Sequence, residues 1–482
     1  MMHITQQWTN QPVDVRVHIF CLTLQRPLTD ANADYIVTID TFPDEVLLEI
    51  FDFCVEDNEE DWKTLVHVCQ RWRGIVFSAP HRLDLRLAYT GAKPVKEMLD
   101  IWPTLPIAVR VIPLDEKVED DFVIALKQHD RICEIHTEVY GGWDFDILVE
   151  STERLFPALT ELRILSPGEF ELVAPDSFLG GSAPRLQSLW LKGIAFPALP
   201  NLLVSATDHV QLHLMDIPPS GYISPKVMAH CLSSLTRLMD LQIQCESAQP
   251  LPDQPSRRLP PRTIFPDLTH FFFQGAIEYL EVLFAHLDAP CLQLIDSRFL
   301  DPPIFNISPF LGCTEPLKGL VQAGMFPEND FVDLDLSTRD SLPGRRRLTL
   351  TFRSINLVWH LPFLNQSTRR YTDVRELEGE RADTEGDDMS DARWLQLLRL
   401  LTAVEDLYLP KELALWIALA LREVGRRRLT EVLPALQNIY ISGVQHPGPI
   451  QEAIGEFIAA RELSGHPVSV QRWEGNSLPA LD

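Results

Sequence analysis

A chain of 482 residues, 45% hydrophobic and 23% charged, is long enough for two or three compact domains, or for one small domain and an extended one. Its formal net charge of −26 argues against a phosphate-backbone binder, which needs a basic face to displace counterions, so no nucleic-acid partner is expected. The longest apolar run, Leu413 to Leu421, is well short of the roughly 20 residues that cross a bilayer, and no membrane partner is expected either.

At the start of the chain, Asp14, Arg16 and His18 interrupt the only apolar stretch, and no small-residue cleavage site follows, so residues 1–37 read as a weakly ordered arm and not a signal peptide. The eight cysteines (Cys21, Cys54, Cys69, Cys133, Cys231, Cys245, Cys291 and Cys313) lie far apart in apolar surroundings, without a C-x-x-C pair. They read as reduced core thiols, which places the protein in the cytoplasm or the nucleus.

Residues 38–80 carry a helical signal. Pro43 suits a first helical position, where no N–H is needed, and Asp44 and Glu45 suit the positive end of the helix dipole. Val46, Leu47, Ile50, Phe51 and Cys54 then recur at one-, three- and four-residue steps, which predicts one apolar face. The acidic stretch Glu56 to Asp61 breaks the pattern, and a second helix is expected with Leu65, Val68, Cys69, Trp72, Ile75 and Val76 on one side.

From residue 81 to residue 470 the pattern changes to strand-like triplets with apolar residues at i, i+3 and i+5. The strongest are Leu159/Leu162/Ile164, Leu186/Leu189/Leu191, Leu238/Leu241/Ile243, Leu268/Phe271/Phe273, Val404/Leu407/Leu409 and Leu436/Ile439/Ile441. Weaker copies stand at Leu212/Leu214, Leu292/Ile295 and Leu348/Leu350/Phe352. Proline precedes several of them, as Pro157, Pro184, Pro266, Pro290 and Pro434 do, ahead of the hydrogen-bonded part of a strand. The spacing belongs to leucine-rich repeats, each one strand with a return segment, which bury their apolar faces only by stacking. The copies are ragged and show no asparagine ladder, and the competing reading is a scatter of leucines in an ordinary α/β protein. The fold class expected is therefore α/β: a small all-α helical unit, then an irregular repeat solenoid with a curved, mostly parallel sheet.

Residues 371–393 hold nine acids against three arginines with almost no apolar anchors, and are expected to be a disordered insertion. Ile450, Ile454, Phe457 and Ile458 predict a helix, Val468 and Val470 a last strand, and residues 471–482 a tail.

The sequence Phe42-Pro43-Asp44-Glu45-Val46-Leu47, followed by Ile50-Phe51 and by Leu65…Val68-Cys69-Gln70-Arg71-Trp72, resembles the F-box. Phe42 stands where that family usually has leucine, and Gln70 where it commonly has a basic residue. With the ragged repeats behind it, the layout resembles the large F-box families of mushroom-forming fungi. The resemblance implies a substrate-recognition subunit of a Skp–cullin–F-box ubiquitin ligase. The helices would dock on the Skp-type adaptor, and through it on cullin, while the repeats bind an unknown substrate protein. The positions matching the family's apolar set are Phe42, Pro43, Val46, Leu47, Ile50, Phe51, Leu65, Val68 and Trp72. Each belongs either to that docking surface or to the inner core of a helical hairpin, and Cys69 is expected inside. An F-box-containing scaffold acting outside a ligase is the alternative.

The chain has no phosphate-binding glycine loop, no nucleophile elbow, no H-E-x-x-H and no Cys/His set with zinc spacing. No enzyme activity, cofactor or metal is therefore expected, and an enzyme with a dispersed site is the remaining rival. His67 reads as a surface residue, Asp387-Asp388 as a solvated acid pair, and Arg345–Arg347 and Arg426–Arg428 as solvated patches or as localisation or acidic-partner sites.

Overall fold

The structure is a computed structural model; it describes residues 41–55, 61–114, 118–168, 170–246, 262–299, 322–328, 331–337, 347–353, 395, 398–399, 401–409, 411–422, 431–442 and 449–473. The expected arm 1–37, the acidic stretch 371–393, Asp387-Asp388, Arg426–Arg428, Cys21 and Cys313 lie outside the described residues. The chain divides into two compact units, Met1–Phe170 with Ser177–Arg185, and Glu171–Asp176 with Leu186–Asp482.

The first unit opens with three helices, α1 (Asp44–Val55), α2 (Asp61–Val68) and α3 (Gln70–Ser78). The single second helix expected from the sequence is two helices. Cys69 sits between them in extended conformation (φ −157, ψ 169), and its Sγ caps α3 by accepting from the Trp72 N–H. Cys69 is therefore exposed rather than packed inside.

Strands and helices then alternate: β1 (Leu87–Tyr89), α4 (Val95–Ile101), β2 (Ile107–Val111), α5 (Glu119–Leu126), β3 (Ile132–Glu138), α6 (Gly142–Ser151) and β4 (Glu161–Leu165). The strands pair in sequence order and all in parallel. With crossovers of one hand, sequential order puts every return helix on the same face, unlike the reversal of a doubly wound sheet. Accordingly α5 packs on both α4 and α6.

The second unit holds β5 (Leu172–Val173), β6 (Ser188–Lys192), β7 (Ile194–Ala195), α7 (Leu199–Ser205), β8 (Gln211–Ile217), α8 (Pro225–Leu232), β9 (Asp240–Cys245), β10 (Thr263–Ile264), β11 (His270–Gly275), α9 (Ile277–His286), β12 (Leu287–Asp288) and β13 (Leu294–Phe299). Beyond these come β14 (Gln322–Glu328), β15 (Phe331–Ser337), β16 (Arg347–Arg353), β17 (Asp406–Leu409), α10 (Lys411–Arg422), β18 (Asn438–Ser442), α11 (Pro449–Leu463) and β19 (Ser469–Trp473). The fold is thus α/β with a large, mostly parallel sheet.

Triplet phase becomes register. Leu189, Leu212, Leu241, Phe271, Ile295 and Leu348 are partners across successive parallel strands, as are Leu407, Ile439 and Val470. All residues of the six strongest triplets are buried. The residues between them, such as Ser188, Trp190 and Lys192 or Asp240, Gln242 and Gln244, are polar or aromatic and half-exposed. A parallel sheet covered on both faces reads as continuous apolar runs; this alternation leaves one face of the strands open.

Two expectations need correction. The expected series of one parallel strand per repeat is interrupted: the spatial order β13-β16-β15-β14-β17 makes β14 to β16 an antiparallel meander, in which β15 runs against its neighbours. Glu328 pairs with Phe331 where β14 and β15 meet in antiparallel register. The tail also starts later than expected, because Gln471 to Trp473 belong to β19.

Candidate functional site

Two apolar stripes run side by side along α1. Leu47, Phe51 and Cys54, at i, i+4 and i+7, are buried. Val46, Ile50 and Phe53 repeat the spacing one position earlier and form the outer stripe; Val46 is 39% and Phe53 41% exposed, and Ile50 is half-buried. Of the nine residues singled out in the sequence, Pro43, Val46 and Val68 are exposed, Phe42 and Ile50 half-buried, and Leu47, Phe51, Leu65 and Trp72 buried. The set therefore splits into an inner core and an outer surface. Phe53 was not among the nine, although its spacing from Val46 and Ile50 marks it.

The inner core holds the three helices to one another. The rings of Phe51 and Trp72 lie 4.7 Å apart at 54°. Trp62 is buried against Trp102 at 5.0 Å and Phe77 at 6.0 Å, and its Nε1–H donates to Arg86 O (3.2 Å) ahead of β1. Arg71 fixes the entry to α1, donating through Nη2 to Phe42 O (2.6 Å) and to Asp44 Oδ1 (2.7 Å). Both charged groups of that pair are substantially solvated, so the bridge sets the geometry of Phe42 and Pro43 more than it stabilises the unit. Exposed His67 has its ring 6.0 Å from that of Trp102.

Across neighbouring strands, several polar and aromatic side chains meet laterally. In the first unit, the buried Glu134 carboxylate accepts from Arg110 Nε and Nη2, with Arg86 Nη1 at 3.6 Å. In the second, the His213 ring lies between the Trp190 ring (3.9 Å) and Asp240 Oδ2 (3.2 Å). Asp216 accepts from Gln244 Nε2 (2.6 Å) with Lys192 Nζ at 3.6 Å. Towards the end of the chain, Asn438 Nδ2 donates to Asp406 Oδ1 (2.8 Å), and Tyr408 and Tyr440 stack at 4.4 Å.

Burial pushes the thiols of Cys133, Cys231 and Cys245 up to about 11, away from the thiolate that a nucleophile or metal ligand requires. Among the described residues, no group of His, Cys, Asp and Glu is placed to hold a metal ion, and no helix is long and apolar enough to cross a membrane.

His209, between α7 and β8, is fully buried, and burial pushes its imidazole down from the ordinary 6.5 to about 4, with the backbone of Leu186 and Ala206 offsetting this only in part. The unfolded chain takes up the proton near 6.5 and the folded chain only near 4. The resulting stability is thus complete above pH 6.5 and lost as pH falls towards 4, about 3 kcal/mol in all. In urea titrations between pH 7 and 4.5, His209→Phe is expected to flatten the decline by most of that amount; an unchanged slope would refute the assignment.

Comparison with known proteins finds no matching family model and no matching curated protein.

Proposed function

We propose that the protein is a substrate-recruiting subunit of a Skp–cullin–F-box ubiquitin ligase, with α1 to α3 as the F-box and the strand–helix body as an irregular leucine-rich-repeat solenoid. The observation that carries this reading is the second apolar stripe of α1. A three-helix unit needs one stripe for its own core; Val46, Ile50 and Phe53 form another that the chain leaves partly uncovered. An apolar helical surface of that kind marks a partner site, and it coincides with the stretch that resembles the F-box. The adaptor's hydrophobic groove would take Pro43 just ahead of α1, Val46, Ile50 and Phe53 from α1, and Val68 at the end of α2. The open sheet face, polar and aromatic along its length, is the surface for the target protein. In this role the protein works in the cytoplasm or nucleus, and the ubiquitin chemistry belongs to the conjugating enzyme that the cullin arm brings.

The test pairs binding with folding. Val46→Ser with Phe53→Ser is expected to weaken adaptor affinity about tenfold or more, close to 1.4 kcal/mol, while melting falls by less than for a fully buried position, because each side chain is about two-fifths exposed. Assembly with adaptor and cullin together separates a ligase subunit from a scaffold. Folded wild-type protein that fails to bind the adaptor at micromolar concentration would end the proposal.

A further inference from the structure

Phe42 and Pro43 lead into α1 from outside any helix or strand. Pro43 has no N–H to donate, and its carbonyl accepts the first helical bonds, from the Val46 and Leu47 N–H groups at 3.1 Å each. What fixes this entry comes from another helix. Arg71, in the first turn of α3, donates to Asp44 Oδ1 through Nε (3.1 Å) and Nη2 (2.7 Å). The same Nη2 donates to the Phe42 carbonyl oxygen (2.6 Å). One planar guanidinium thus ties a side chain inside α1 to a backbone oxygen ahead of it, on either side of Pro43.

The arm that carries this group is itself held. Cys69 Sγ accepts from the Trp72 N–H (3.4 Å) and so sets the start of α3 beside Arg71, while the Trp72 ring lies 4.7 Å from that of Phe51 on the inner stripe of α1. An arginine fork held in this way is pre-organised; a lysine would keep the charge but carry it on a flexible stem. Folding gains little from the fork, because the side chains of Arg71 and Asp44 are 36% and 60% exposed. Its consequence is shape. Pro43 is exposed and Phe42 half-buried, so a partner that meets them already ordered has less chain to immobilise on binding.

We infer that Arg71 is a positioning residue for docking: it holds Phe42 and Pro43 in the shape that the outer surface of α1 presents before a partner arrives. The inference rests on the proposed function only in naming that partner as the Skp-type adaptor.

The experiment uses the full chain, purified Skp-type adaptor and four variants, read by adaptor titration, by melting, and by amide hydrogen exchange of the free chain. Arg71→Gln is expected to weaken adaptor affinity about fivefold and to speed exchange of the Val46 and Leu47 amides about threefold or more. Exchange at Ile75 and Val76 in α3, and the melting temperature, are expected to stay as in the wild type. Arg71→Lys is expected to recover part of both losses. Asp44→Asn keeps the bond to Phe42 and is expected to change affinity by about twofold or less. Arg82→Gln is the matched control: it removes the same charge from beside another α1 carboxylate, Glu49 (2.6 Å), without touching the entry, and is expected to bind like the wild type. If Arg71→Gln melts early, Arg71→Lys carries the test, with smaller changes in the same direction. Arg71→Gln with wild-type affinity would overturn the role in docking, whatever the exchange shows. An equal loss in Arg82→Gln would overturn it in favour of charge attraction, and an equal loss in Asp44→Asn in favour of the ion pair alone. A folded wild-type chain that does not bind the adaptor ends the ligase reading instead. Exchange at Val46 and Leu47 then decides by itself whether Arg71 holds the entry to α1.

Discussion

Leu47→Ala is expected to destabilise the three-helix unit by about 2–5 kcal/mol, the range for truncating a fully buried leucine. Leu47 is wholly buried on the inner stripe of α1, next to Phe51, whose ring meets that of Trp72. A short helical unit has few other contacts to redistribute, so the cavity it leaves has little chance to collapse. The proposed adaptor binding should fall as well, but only in proportion to the fraction unfolded: at low temperature the folded molecules keep native affinity. Val46→Ser with Phe53→Ser should behave oppositely, losing more affinity than stability. The measurement is urea unfolding followed by near-ultraviolet circular dichroism, beside adaptor titrations at two temperatures. If Leu47→Ala unfolds like the wild type, the inner stripe is not the core of the unit, and the division between core and docking residues fails with it.

That division was only half legible in the sequence. Periodicity gathers Val46, Leu47, Ile50, Phe51 and Cys54 on one broad side of α1. Two stripes one residue apart share that side, and which of them is covered depends on where α2 and α3 pack. Phe53 completes the outer stripe but escapes a reading tied to the F-box pattern. Cys69 shows a similar limit. Its apolar neighbours match a continuous helix, yet its backbone is extended and its sulfur caps the next helix, a local hydrogen bond that periodicity does not register.

The strand–helix body was more legible, because the i, i+3, i+5 phase of the sequence becomes register across the parallel strands. Leu162 pairs with Ile135, and Ile164 with Thr137, so Ile132, Ile135 and Thr137 form an earlier triplet that the threonine hid from an apolar search. The meander β14 to β16 was out of reach: Leu348, Leu350 and Phe352 keep the triplet phase, and alternation alone does not tell a parallel neighbour from an antiparallel one. The exposure of Tyr140, Trp143 and Phe170 was invisible for a different reason. Tyr140 and Phe170 lie in loops, which have no period, and Trp143 stands in the first turn of α6, where its own spacing does not mark it as exposed.

Phe273→Ala is expected to cost about 3–5 kcal/mol, the largest single effect predicted for the strand–helix body. Phe273 is fully buried in β11, its ring 5.6 Å from Tyr279, and Gly275 leaves it room where a Cβ would come within 2.9 Å of the ring. The distribution of that loss tests the solenoid reading more sharply than its size. In a stacked array each repeat leans only on its neighbours, so stability is close to a sum of nearest-neighbour terms. β11 pairs with β9 and β13. Amide hydrogen exchange should therefore show lost protection in β9, β11 and β13, while β17, β18 and β19 keep theirs. The meander makes the contrast stronger, since β16, β15 and β14 lie between the two groups of strands. A loss shared equally from β9 to β19 would mean one globally cooperative core. The strands would then be an ordinary α/β sheet with repeated spacing, and the stacking that is proposed to present an open binding face would have no independent energetic basis.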